Sequence, residues 1–186
     1  AFILACLGKA CCELGDLTRA VSVLEQAVEM ADEVRSLQFC AWFRTMLGEA
    51  YVLIGAYDKA GDVAHKALAA STKMGFLIGV GLAHQVQGMI ARAQGTLAEA
   101  ERQLRAAAEA FEPIGARFEL GRVEMEFAAA AHCHGAGEAA TTHLRRARSI
   151  FTTLEVPKYV ARADALAEQI GVSLVAMSTS APSGSR

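Results

Sequence analysis

The chain has 186 residues, 53% of them hydrophobic, 20% charged and 6% aromatic, with three prolines and a formal net charge of −2. Near-neutral charge excludes the basic face of a nucleic-acid platform, and no apolar run approaches the ~20 residues that cross a bilayer. By length it is one domain with a sizeable core, and the abundance of helix formers over β-branched runs makes it all-α.

Residues 1–8 carry no basic leader and fall in phase with later segments. They are expected to be a helix opened by truncation, in a fragment lacking an initiator Met, rather than a signal peptide. A first repeat covers about 1–35. Its second helix starts near Leu17 and carries Leu17, Ala20, Val21, Leu24, Ala27, Val28 and Ala31 on one face, a helical period. Asp16 is placed to cap it.

The second repeat covers about 36–75. Phe39, Trp42, Phe43, Met46, Leu47 and Tyr51 lie on its first helix, and Tyr57, Ala60, Val63, Ala64, Ala67 and Leu68 on its second. Gly61, inside that second helix, costs about 1 kcal/mol relative to Ala and is expected to mark close backbone contact. The third repeat covers about 76–115. Thr96 and Glu99 have capping-box spacing, and Pro113 with Gly115 closes the helix. The fourth covers about 116–155 and has a looser turn, His134-Gly135-Ala136-Gly137. A capping helix is expected over 157–170, with Pro157 in its first turn. Residues 171–186, rich in Ser, are expected to be a disordered tail.

These segments share one step. Gly15, Gly55, Gly95 and Gly135 stand 40 apart, as do Ala20, Ala60, Ala100 and Ala140, and Ala27, Ala67, Ala107 and Ala147. A fixed period in this range marks a stacked repeat. Within it, Leu47-Gly48-x-x-Tyr51, Ala60-x3-Ala64 and Ala67 resemble the tetratricopeptide repeat (TPR) pattern. Leu7-Gly8, Ala20-x3-Leu24 and Ala27 repeat it, as do Gly88, Ala100-x3-Leu104 and Ala107. The fourth copy is weakest at Phe127-Ala128. The resemblance covers about 1–170 and departs in period, 40 against the usual 34. The stretch from Ile150 to Leu166 resembles the C-terminal TPR regions of bacterial ATPase-linked, cyclase-linked or maltose-regulator-like signalling proteins.

The resemblance implies a right-handed α-solenoid of helical hairpins whose first helices line a concave groove. In phase, that groove holds Trp42, Thr45, Glu49, Gln85, Met89, Arg92, Arg122, Met125 and His132, with Trp42 the best apolar anchor. The expected role is a non-catalytic, cytoplasmic scaffold binding a peptide or helix. The alternative is a regulatory or sensor segment of a larger signalling ATPase, nucleotide cyclase or transcription activator. Other domains of the parent chain, and self-association through exposed terminal helices, are further partner modes. No nucleic acid, membrane or cofactor is expected, and no catalytic grouping emerges from the spacing. His132-Cys133-His134 has zinc-ligand chemistry, but neighbours on a helix diverge by about 100°, and His143 as third ligand has nothing to place it. No metal is therefore expected. The five cysteines, Cys6, Cys11, Cys12, Cys40 and Cys133, are odd in number and without metal spacing, so they are expected to be reduced and buried.

Overall fold

In the computed structural model, which describes residues 1–174, the chain is an all-α helical-repeat solenoid. Its helices are α1 (Phe2–Leu14), α2 (Leu17–Glu33), α3 (Leu37–Leu53), α4 (Tyr57–Met74), α5 (Leu77–Ala93), α6 (Leu97–Phe111), α7 (Arg117–Cys133), α8 (Gly137–Thr153) and α9 (Pro157–Gln169), with a 3-10 turn at Glu112–Ile114. Each helix packs on the next. The odd helices also touch in sequence, α1 on α3, α3 on α5 and α5 on α7, and so form an inner layer. Among the described residues no helix is long and apolar enough to cross a membrane.

The joints explain the 40-residue step. Gly15, Gly55, Gly95 and Gly135 all have φ between 72° and 80°, the left-handed conformation that glycine adopts without steric cost. The alternate joints use Arg35, Gly75, Gly115 and Glu155, also at positive φ. Asp16 caps α2 by accepting from the Arg19 amide at 3.2 Å. Thr96 does not form the expected capping box. Its hydroxyl donates to the Ala91 carbonyl, while Glu99 turns outward to Arg102 and Gln103.

Small residues set the helix spacing. A Cβ on Gly8 would sit 2.4 Å from Leu24 Cγ, and one on Gly88 would sit 2.8 Å from Leu104 Cγ. Helix pairs close on these points, and a single pair cannot bury both its faces. Ala60 is fully buried, and its carbonyl lies 3.6 Å from the Cβ position of Gly48. Ala60→Leu is expected to overpack this joint and cost about 1–3 kcal/mol in a urea melt. Gly61 departs from expectation, because an added Cβ meets nothing within 4 Å. Gly61→Ala is accordingly expected to raise stability by about 1 kcal/mol, read as a higher urea midpoint with an unchanged slope.

Two boundaries also differ. Within the expected tail, Val172 and Leu174 are half-buried against the cluster of Ala128, Leu144, Ala163 and Ala167, so packed chain extends past 170. The remainder of that tail, 175–186, lies outside the described residues. Of the cysteines, only Cys11 and Cys40 are buried. Cys12 is half-buried, and Cys6 and Cys133 are exposed, all as free thiols. Burial pushes the Cys40 thiol up to about 11, with Asp32 beside it adding to the shift.

Candidate functional site

The odd helices curve tightly enough for α7 to reach α3 past α5. Arg122 donates through Nη2 to Glu49 Oε1 at 2.5 Å and through Nη1 to Glu119 Oε2 at 2.9 Å. Lys9 of α1 donates to the other oxygen of Glu49 at 2.7 Å. Glu49 therefore ties together three helices of the inner layer. Burial alone would raise its carboxyl. The charges and hydrogen bonds of Arg122 and Lys9 outweigh burial and hold it at about 2. Burial likewise opposes the charge on Arg122, but Glu49 and Glu119 keep its guanidinium firmly protonated.

The inner layer also meets itself end to end. Glu13 near the end of α1 accepts from Arg162 at 3.0 Å and from Tyr159 at 3.3 Å, and pairs with Lys158 at 2.9 Å. All three partners belong to α9. Burial raises the Glu13 carboxyl, and the Lys158 hydrogen bond with the Arg162 charge more than reverses it. Tyr159 is held from behind by Phe118 and Phe151, with ring centroids 4.8 and 5.0 Å away. The first and last helices thus face each other across a hollow.

That hollow holds two adjoining cavities. The smaller, about 120 Å³, is lined by Trp42, Thr45, Glu49, Gln85, Met89 and Arg122, among others. The larger, about 560 Å³, is lined by Glu49, Gln85, Met89, Arg92, Arg122 and Met125 together with Lys9, Glu13, Glu126 and the α9 cluster. Eight of the nine groove residues read from phase are therefore brought to one place. His132 is not. It lies exposed in the last turn of α7 and lines neither cavity.

The lining is mostly apolar surface with charged side chains set into it. Arg92 pairs with Glu126 at 3.0 Å, so charge runs along the wall in matched pairs. Trp42 is half-buried and packs against both central core clusters, with Phe2 and Phe43 6.1 and 6.3 Å from its ring. It also lines the smaller cavity. Thr45 turns its hydroxyl into its own helix, donating to the Trp42 carbonyl at 2.7 Å. Gln85 is 3% exposed, and its Oε1 is buried without a hydrogen-bond partner among the described residues. An unsatisfied buried acceptor costs about 1–3 kcal/mol.

Sequence phase did not select Glu13 of α1 or Lys158, Tyr159 and Arg162 of α9. Lys9, in the phase column of Glu49 and Met89, was readable from phase as groove-facing. The α9 cluster was not, because phase orders neighbours along a solenoid and is silent on whether its ends meet. Among the described residues no three His, Cys, Asp or Glu side chains are grouped to hold a metal ion. His143 contacts Glu124 at 2.6 Å and stacks on Phe127.

Fold and site together define an all-helical repeat protein with an inner hollow that mixes apolar and charged side chains. A scan against protein-family models returns no match, nor does a search of curated proteins.

Proposed function

We propose that this chain is a non-catalytic, TPR-like binding module that receives an extended peptide segment of a partner protein in its inner hollow, in the cytoplasm. The observation that carries the reading is the convergence of eight phase-selected side chains, from three inner helices, on adjoining cavities. Met89 and Met125 offer adaptable apolar contact. Arg92 and Glu126 offer charge, and Gln85 lines both cavities. A helix is about 10–12 Å across, so the narrower extended segment is the occupant proposed.

A second reading has its own support. Because Glu13 joins α1 to α9, any occupant that displaced it would be felt at both ends of the rod. That suits a regulatory segment of a larger bacterial signalling ATPase, cyclase or transcription activator.

The test is a peptide array probed with wild type and with Arg92→Ala, Met125→Ala and Gln85→Leu. Loss of at least tenfold in affinity for captured peptides, about 1.4 kcal/mol, with circular dichroism melts unchanged or raised, supports the hollow. Equal capture by all four proteins removes it. Trp42→Ala is a poor probe, since Trp42 packs in the core.

A further inference from the structure

The outer face of α1 is built to be covered by a helix. Ile3 is 82% exposed, yet its equivalents at the 40-residue step, Phe43, Ala83 and Val123, are 0%, 0% and 1% exposed. Leu7 is exposed where Leu47 is buried, and Ala10 where Ala50 and Ala130 are buried. Cys6 is exposed where Val86 is buried and Met46 half-buried. Leu14 does not belong to this set, because its equivalent Ile54 is also exposed. The uncovered face is therefore Ile3, Cys6, Leu7 and Ala10.

What covers the equivalents is visible three times within the molecule. The preceding even helix packs on each odd one, α2 on α3, α4 on α5 and α6 on α7. Leu24, Ala27 and Ala31 share a cluster with Phe43 and Leu47, and Leu104 and Ala107 share one with Val123 and Phe127. Burial of large apolar side chains is favourable, and α1 forgoes at Ile3 and Leu7 what α3 gains at Phe43 and Leu47.

We infer that the outer face of α1 is a docking surface for an amphipathic helix of the even-helix kind. Such a helix presents small residues where it must approach closely and leucine between them. Docked there, it continues the interface that α2, α4 and α6 already make. This surface is at the end of the rod and independent of the hollow.

The register allows a direct test. Ala1 is equivalent to Gly121, so residues 97–120 can be appended ahead of Ala1 to supply an even helix in register. The readout is the alkylation rate of Cys6, followed by peptide mapping in a Cys133→Ser background. The appended chain is expected to label at Cys6 at least tenfold more slowly than the parent and to melt several degrees higher. Ile3→Glu with Leu7→Glu is expected to restore fast labelling in the appended chain while leaving the melting temperature of the parent unchanged. Equal Cys6 labelling in parent and appended chains overturns the inference. So does a concentration-dependent dimer of the parent that protects Cys6 and is dissolved by Ile3→Glu, since the face would then belong to a second copy.

Discussion

Glu49→Gln is expected to lower stability by about 3 kcal/mol at neutral pH. Glutamine has nearly the shape of a protonated glutamic acid, so the substitution resembles locking a proton onto Glu49. In the folded chain that proton binds only near pH 2, against a usual value of 4.5, and each unit is worth about 1.4 kcal/mol. The physical source is the pair of cations left behind. Arg122 keeps Glu119, but Lys9 loses the carboxylate it faces, and a half-buried cation without its partner keeps a desolvation cost that nothing offsets. The same linkage fixes the pH dependence. Below about pH 4.5 the unfolded chain takes up a proton that the folded chain refuses until about pH 2. Acid therefore favours unfolding, and the contribution of Glu49 is complete above 4.5 and lost as pH falls to about 2. Glu13, also depressed, adds a loss of the same sign. Urea melts from pH 7 to pH 2 are expected to show wild type and Glu49→Gln converging as the pH drops. A constant gap between them would mean that Glu49 acts through shape and not charge.

The architecture was legible because close approach demands small residues and tight joints demand left-handed backbone. Both requirements recur with the geometry, so Gly8, Gly88 and the four joint glycines report the repeat directly. Gly61 shows the limit of that logic. It sits where no neighbour comes near, and nothing in one sequence separates a glycine that is needed from one that is merely present. Glu99 had the spacing to reach back to Thr96, but its carboxylate finds a guanidinium at 2.6 Å instead, a charge-assisted bond that outcompetes a neutral amide. The hollow was half legible. Phase placed side chains on the inner layer correctly up to the last turn of α7, where His132 lies exposed. Curvature was not legible at all, because it is the sum of small rotations at every joint. Only curvature brings Arg122 to Glu49, 73 residues away, and Arg162 to Glu13, 149 residues away.

Phe111→Ala is expected to cost about 3–5 kcal/mol, the range for a large aromatic removed from a packed interior. Phe111 is fully buried among Leu82, Leu104, Ala107 and Val123. Its ring occupies space that Gly81 leaves open, since a Cβ there would lie 2.4 Å from Phe111 Cε1. The next repeat pairs Phe151 with Gly121 in the same way, at 2.8 Å. The first two repeats have small residues at both positions, Ala31 with Ala1 and Ser71 with Ala41. Glycine thus stands on one helix only where the facing residue on the other is phenylalanine. Gly81→Ala alone is expected to cost about 1–3 kcal/mol by overpacking. Combined with Phe111→Ala it is expected to be stabilising, because its methyl group then enters the cavity just made and recreates the pairing of the first repeat. The double variant should therefore be more stable than Phe111→Ala, with a coupling of at least about 1 kcal/mol in a double-mutant cycle of urea melts. Additive losses would show that Phe111 and Gly81 do not share the space.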